Sequence, residues 1–260
     1  MRSLVVRAGC CALAFALASV ASAQEKQWTN ITGQVVFPAN KPIPPRKPLN
    51  VNANQNVCLA KGPILDESAI VNPKTRGVKN VVVFLRPDST DAKAAFKAGE
   101  IHPADAKRKA AEVAIDQPCC MFVDRVTCAR VGDTIVVKNP AVIPHNFFWD
   151  SANNGSHNQN IAANQVWKMP KPLVEERAPI QYKCTVHPWM TGYVRIFDHP
   201  YYAVTDDDGK FEIKNAPAGN YRIVFWHESG VKGGAAGRFG EPIKIEGKTL
   251  EMKPTEFEVK

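Results

Sequence analysis

The chain lacks several patterns that would assign it to a common class of protein. It contains no Cys-x-x-Cys pair and no His-x-x-x-His pair, so the usual means of closing a tetrahedral zinc site is absent. The Cys-x-x-Cys-His signature of covalently attached haem is also missing. No basic run is interleaved with aromatic residues, which argues against nucleic-acid binding. Internal repeats are absent, and no apolar run after residue 20 approaches the length of a membrane helix.

Acidic residues are fewer than basic ones. The 260 residues include 25 Asp and Glu against 33 Lys and Arg, which gives a formal net charge of +8 at pH 7. This excess favours encounter with acidic partners, although a solvated basic surface accounts for it equally well. The length exceeds what one small β-sandwich needs and is sufficient for two modest cores.

The N-terminal residues have the pattern of a secretory signal peptide. Arg2 and Arg7 form a positive start, and residues 8–20 are apolar and small. The next three residues, Ala-Ser-Ala, provide an A-x-A cleavage site that ends at Ala23. We predict removal of residues 1–23 and a periplasmic or secreted protein. The apolar core of this segment is too short to span a bilayer, so no membrane span is expected.

Residues 184–190 contain the most informative motif, Cys-Thr-Val-His-Pro-Trp-Met. It places a thiolate, an imidazole and a thioether within seven residues. Blue-copper centres use one cysteine and two histidines in a trigonal plane, with a weak axial methionine. We therefore predict that Cys184, His187 and Met190 are ligands of one type 1 copper ion. Taken singly, Cys184 could be a structural thiol and Met190 a core residue.

The second histidine ligand is expected to come from a separate strand. His145 follows a strand-like run at residues 133–139, and this run is introduced by a glycine turn. Asn146, beside it, has a carboxamide that could hydrogen-bond across to the Thr185 side of the cysteine loop. We predict that Asn146 and Thr185 support the ligands and keep them at fixed distances.

Taken together, these residues resemble the cupredoxin family and, within it, the amicyanin type. The similar features are Cys-x-x-His-x-x-Met with proline directly after the histidine, and a Gly-Asp-Thr strand, an Asn-Pro turn and His-Asn before it. The resemblance covers roughly residues 113–198. It implies a Greek-key β-sandwich with copper near one end and outer-sphere electron transfer as the activity.

The resemblance implies an electron carrier and not an enzyme, because four protein ligands leave little room for a substrate. The partner would be a redox protein such as a cytochrome or a periplasmic dehydrogenase. Electrons would leave through an exposed His187, and Pro188 and Trp189 would form the docking rim. Two other functions stay open: a protein that stores or delivers copper, and an extracellular binding module with a structural metal.

Five cysteines follow the signal peptide, an odd number for an oxidising compartment. Metal ligation by Cys184 explains the unpaired one. A bond between the adjacent Cys119 and Cys120 would be strained. We therefore expect Cys58 to pair with one of these two, and Cys128 to pair with the other or to stay free.

The segments on both sides of the copper region are rich in β-strand signals. Strands are predicted at Ile31–Phe37 and Val81–Leu85 before it, and at Arg222–Trp226 after it. An Asp-Gly turn within Val204–Ile213 predicts a hairpin in a meander of strands. The opening Gly-x-Val strand and the later Thr-Asp-x-Asp-Gly-x-Phe and Pro-x-Gly-x-Tyr runs resemble the carboxypeptidase regulatory-like β-sandwich.

These patterns predict an all-β chain in which one sandwich is inserted into another. Residues 28–88 and 199–260 would form the split sandwich, and residues 113–198 the copper domain inserted at a loop tip. Residues 89–112 would be a linker with one or two short surface helices. A tandem order is the rival arrangement, but it would leave the first segment with too few strands to close a core.

Two further histidines, His199 and His227, could form a second metal site if folding brings them together. We prefer a simpler interpretation, in which His199 is a hydrogen-bonded turn residue and His227 lies at a strand end.

Overall fold

The computed structural model describes residues 27–260, so the predicted signal peptide at residues 1–23 lies outside the described residues. The described part is all-β, with strands grouped in several sheets and only short helices. The predicted fold class is thereby confirmed. Among residues 27–260, no helix has the length and apolar character needed to cross a membrane.

The strands, in chain order, are β1 (Trp28–Val36), β2 (Val82–Pro87), β3 (Glu112–Asp116), β4 (Val126–Arg130), β5 (Thr134–Asn139), β6 (His145–Ser151), β7 (Gly155–Ile161), β8 (Gln165–Lys168), β9 (Ile180–Lys183), β10 (Thr191–Phe197), β11 (Tyr202–Val204), β12 (Lys210–Pro217), β13 (Gly219–His227), β14 (Gly230–Val231), β15 (Glu241–Ile245), β16 (Thr249–Glu251) and β17 (Thr255–Glu256). The helices are α1 (Gln55–Cys58), α2 (Pro103–Ala106) and α3 (Gly234–Gly237), with a 3₁₀ turn at Ala98–Glu100.

The inner sandwich consists of two sheets with strand orders β4-β10-β9-β6-β7 and β3-β5-β8. Strand β9 alternates buried and exposed residues with the two-residue period of a half-buried sheet. In β6, Phe147 and Trp149 point inward and are fully buried, and in β9 Tyr182 does the same. These three large side chains lie in one core with the strands of both sheets. The loop between β9 and β10, which contains residues 184–190, contributes Cys184 and Met190 to this core.

The outer sandwich is built from both ends of the chain. One of its sheets has the order β12-β1-β16 with β17 also on β1, and the other has β11-β2-β13-β14 with β15 also on β13. Because β1 pairs with β12 and β2 pairs with β13, strands from before and after the inner sandwich share each sheet. The second sandwich predicted from the N- and C-terminal segments is confirmed. The bounds predicted for the two domains remain a proposal.

The prediction of a hairpin and meander after the inner sandwich is wrong, because the strands on either side of the turn pair with other strands and not with each other. The Asp-Gly turn is present: the Asp206 N–H donates to the Lys210 carbonyl at 3.0 Å, and Gly209 has φ of +73°. However, β11 pairs with β2 and β12 pairs with β1. The reason is that the turn packs against the end of β1, where the Val35 N–H donates to the Gly209 carbonyl at 2.8 Å. The turn therefore carries the chain from one sheet to the other.

The predicted linker contains two short helical pieces, in agreement with the one or two short helices expected. Its helical residues are confined to the 3₁₀ turn and α2, and the chain is already in β3 at Glu112. The alanines and lysines of this region favour helix, but each helical piece is too short to be stable by propensity alone.

Residues 49–64, which we name the cap segment, lie in sequence between β1 and β2 of the outer sandwich. Nevertheless, Val51, Cys58 and Ile64 are buried in the core cluster of the inner sandwich. A disulfide joins Cys58 to Cys120 of the inner sandwich. This bond confirms the expected pairing of Cys58 with one of the two adjacent cysteines. The cap segment is therefore held on the inner sandwich by both packing and a covalent bond.

The two sandwiches meet at an apolar cluster and an ion pair. Arg125, just before β4, donates from Nη2 to Glu228 Oε2 at 2.8 Å, and Glu228 directly follows β13. The Arg195 guanidinium lies over the Phe84 ring, 4.9 Å from its centroid. The buried side chains of the cluster are Val82, Phe84, Val126, Phe197, Val224 and Trp226.

His199, at the end of the inner sandwich, is buried and forms no ion pair within residues 27–260. Its Nδ1 accepts from the Tyr201 N–H at 3.1 Å, and its ring contacts Phe96 and Phe197. Burial lowers the pKa of His199 from its ordinary 6.5 to about 3, and the positive charges of nearby arginines add to this shift. Between about pH 3 and 6.5, the imidazole of His199 is therefore neutral in the folded protein and protonated in the unfolded chain.

This difference gives a stability that depends on pH. The contribution of His199 is fully present above about pH 6.5 and is lost as the pH falls toward 3, because the unfolded chain binds the proton first. One such group adds a slope of at most about 1.4 kcal/mol per pH unit. We expect His199→Asn to reduce the change of the unfolding free energy with pH between pH 7 and 4, as measured by urea unfolding at each pH. The asparagine side-chain oxygen can still accept from the Tyr201 N–H. His157→Asn, on the partly exposed β7, is the control, and equal slopes in the wild type and His199→Asn would contradict the prediction.

Candidate metal centre

The structure brings together three of the predicted ligands. One ligand atom each from His145, Cys184 and His187 lies within 4.8 Å of the others, and all three residues are buried. The two Nδ1 atoms are 3.0 Å apart, and Cys184 Sγ is 3.7 Å from His187 Nδ1. Atoms that share one ion at roughly 2 Å each are separated by about 3–4 Å. Within residues 27–260, this is the only group of three histidine, cysteine or acidic residues with such an arrangement.

The cysteine loop between β9 and β10 is closed by its own backbone. The Cys184 N–H donates to the Met190 carbonyl at 3.1 Å, and the Met190 N–H donates to the His187 carbonyl at 2.9 Å. The loop thus holds the thiol and the imidazole on its inner side. Met190 is buried and packs in the inner core with Cys184. His145 reaches the same place as the first residue of β6, which pairs with β9.

Asn146 connects the two parts of the site. Its backbone N–H donates to Cys184 Sγ at 3.2 Å, and its Oδ1 accepts from the Thr185 N–H at 3.3 Å. The same carboxamide donates to Asn158 Oδ1 and Asn160 Oδ1 on β7, each at 2.9 Å. The cysteine loop is therefore fixed to β6 and β7 by one side chain, and the Cys184 sulfur also accepts the Asn146 backbone N–H.

Both histidines are held in the neutral form that metal ligation requires. Burial lowers the pKa of His145 to about 4, and the neighbouring His187 adds to this effect. Burial also lowers the pKa of His187. His187 Nε2 lies 3.0 Å from Asn54 Oδ1, which can only accept, so Nε2 carries the proton and the Nδ1 lone pair faces the cluster. His145 Nε2 is buried and has no hydrogen-bond partner within residues 27–260.

The prediction that His187 is exposed is wrong, because its exposed fraction is 0%. The reason is the cap segment, whose Asn54 contacts the outer nitrogen of the ring. Pro188 is exposed and Trp189 is half-buried, with its Nε1 donating to the Cys120 carbonyl at 3.0 Å. The docking role of Pro188 and Trp189 remains a prediction.

The other cysteines and histidines occupy separate positions. Cys119, Cys128 and Cys184 are the free thiols within residues 27–260. His227 Nδ1 lies 2.9 Å from Ser229 Oγ, and neither His199 nor His227 belongs to a metal-ligand cluster within the described residues. The simpler interpretation of these two histidines therefore agrees with their surroundings.

Two residues near the site were not found from the sequence. Asn54 contacts His187 across a separation of 133 residues. Gln117 is buried, and its Nε2 donates to the Asn146 carbonyl at 3.0 Å. The one signal toward Asn54 was the expected pairing of Cys58 with Cys119 or Cys120, because that bond brings the polar stretch around Cys58 to the inner sandwich.

No family model matches this chain, and no curated protein matches it. Solved structures that resemble it include a reduced-state amicyanin mutant, which is 20% identical, covers 44% of this chain and 99% of its own, and has a TM-score of 0.29. A Cu(I) structure of a second amicyanin mutant is 19% identical, with coverages of 44% and 98% and the same TM-score. A third, also in the Cu(I) form, is 23% identical with coverages of 38% and 93%. The chemistry of the site therefore has to follow from the geometry of its own residues.

Proposed function

We propose that this chain is an exported, cupredoxin-like type 1 copper protein that carries single electrons between redox partners. The observation that carries the proposal is the buried cluster of Cys184 Sγ, His145 Nδ1 and His187 Nδ1. One soft sulfur with two imidazole nitrogens is the donor set of a blue-copper site, and Met190 would be the weak axial ligand. No carboxylate belongs to the cluster, which argues against the harder metal ions.

The residues around the cluster fit a redox ion better than a catalytic one. When bound, copper would supply a one-electron couple between its cupric and cuprous forms. A carrier needs ligands that stay in place in both forms, and here the Asn146 side chain and the loop backbone fix them. All three cluster residues are buried, and together with Met190 they would make four protein ligands that leave little room for a substrate. This arrangement supports an electron carrier over an enzyme.

The location and partner follow from the sequence and belong to the proposal. A signal peptide ending at Ala23 would export the protein to the periplasm or beyond. The partner would be a redox protein such as a cytochrome or a periplasmic dehydrogenase. The proposed division is a copper domain at 113–198 within a split sandwich at 28–88 and 199–260. The carboxypeptidase regulatory-like character of this outer sandwich is likewise a proposal.

Copper titration of the purified apo-protein tests the function. We expect one equivalent of Cu(II) to bind and to produce an intense visible absorption from thiolate-to-copper charge transfer. A one-electron reductant should bleach this band, and reoxidation should restore it without loss of metal. Zinc is the matched control, since it can occupy the site but gives no visible band. A protein that binds copper without the visible band would overturn the proposal.

A further inference from the structure

The cap segment has the form of a closed loop anchored at its base and at its tip. At its base the Leu49 N–H donates to the Ile64 carbonyl, and the Asp66 N–H donates to the Lys47 carbonyl, each at 2.8 Å. Compact loops with paired ends and packed side chains are frequently functional. Val51 and Cys58 extend from this loop into the inner core. The loop is therefore an ordered cover on the inner sandwich.

The tip of the cap segment is directed at the metal site. Asn54 precedes α1, and its carbonyl accepts from the Val57 and Cys58 N–H groups, both at 2.9 Å. An asparagine at this position usually caps the helix with its side chain. Here the side chain makes no capping bond and instead places Oδ1 3.0 Å from His187 Nε2. Its left-handed backbone, with φ of 48°, is a conformation that asparagine tolerates better than most residues.

We propose that the cap segment is a built-in cover of the metal site and that Asn54 is a positioning residue for His187. This inference rests on the proposed copper function. Asn54 Oδ1 accepts a hydrogen bond from the Nε2–H of His187 and so turns Nδ1 toward the ion, as partners of metal-bound histidines do. The Cys58–Cys120 disulfide fastens the cover, and Trp189 reinforces it by donating to the Cys120 carbonyl. Copper leaves this site only after the cap segment moves.

Copper removal from the full-length loaded protein tests the role of Asn54. We expect Asn54→Ala to release copper to a Cu(I)-selective chelator about 10–100-fold faster than the wild type, and to alter the visible and electron paramagnetic resonance spectra. Asn54→Asp should restore slow release, since a carboxylate also accepts from Nε2–H. Asn56→Ala is the matched control, because Asn56 is exposed on the same helix and no hydrogen bond of its side chain is found within residues 27–260.

The role of the disulfide is tested separately with a Cys58→Ser/Cys120→Ser double variant. We expect it to release copper faster than the wild type and to lose hydrogen-exchange protection across residues 49–64. If this variant does not fold, the Asn54 series still decides. If the wild type has the visible band but Asn54→Ala and Asn56→Ala release copper at equal rates, the proposed cover and the role of Asn54 are overturned. The copper function would then still stand. A wild type without that band would overturn the copper function instead.

Discussion

Replacing Cys184 by serine is expected to abolish the visible absorption of the copper-loaded protein. The band requires a thiolate bound to copper, and a serine hydroxyl is a harder and weaker ligand. Cys184 is buried, lies 3.7 Å from His187 Nδ1 and receives the Asn146 N–H on its sulfur. No other thiol belongs to the metal-ligand cluster within residues 27–260. Copper titration of Cys184→Ser beside the wild type measures the effect.

Cys128→Ser is the matched control for this experiment. Cys128 is also a free thiol of the inner sandwich, but it lies on β4 and is absent from the ligand cluster. Burial raises the pKa of Cys128 to about 12, so it stays a neutral thiol near pH 7. We expect the control to keep the full band. A band that survives in Cys184→Ser, or that is lost in Cys128→Ser, would contradict the assigned ligand.

Replacing Arg125 by methionine is expected to lower the free energy of unfolding by about 3–5 kcal/mol, the usual effect of removing one partner of a buried ion pair. The side chains of Arg125 and Glu228 are only 10% and 9% exposed. The substitution leaves the Glu228 carboxylate buried without its cation, at the place where the two sandwiches meet. Urea unfolding at pH 7, followed by tryptophan fluorescence, measures the change.

A double variant separates the ion pair from general damage. Arg125→Met combined with Glu228→Met removes both charges. We expect the double variant to lose much less unfolding free energy than the Arg125→Met and Glu228→Met single variants lose together. Lys168→Met is the control, because its partner Glu112 is 61% exposed and Lys168 itself 58% exposed. Such exposed pairs contribute about 0–1 kcal/mol. Additive losses in the double variant would show that the pair is not coupled.

Much of the candidate site could be predicted because its residues are close in sequence or follow a clear strand. Cys184, His187 and Met190 belong to one loop, so their spacing alone restricts where their side chains can meet. His145 and Asn146 begin a strand that pairs with the strand before this loop. The β-rich runs bounded by turn residues likewise made the all-β class predictable from local pattern.

The remaining features depend on contacts between distant parts of the chain. The Asp206–Lys210 turn formed as its sequence suggests, but a turn does not determine which strands its flanks will pair with. The burial of His187 depends on Asn54, which lies in a polar stretch whose local pattern predicts only a loop. In both cases tertiary packing determined the outcome.

The nesting of one sandwich inside the other has a consequence for the order of folding. Strand β2 must pair with β11 and β13, which lie beyond the whole inner sandwich. In an unfolded chain this pairing closes a very long loop, and the entropic cost of closure rises with loop length. Once the inner sandwich has folded, its two ends lie at a fixed distance from each other, so the segments of the outer sandwich are no longer joined by a long flexible loop. A folded inner sandwich therefore lowers the entropic cost of pairing β2 with β11 and β13.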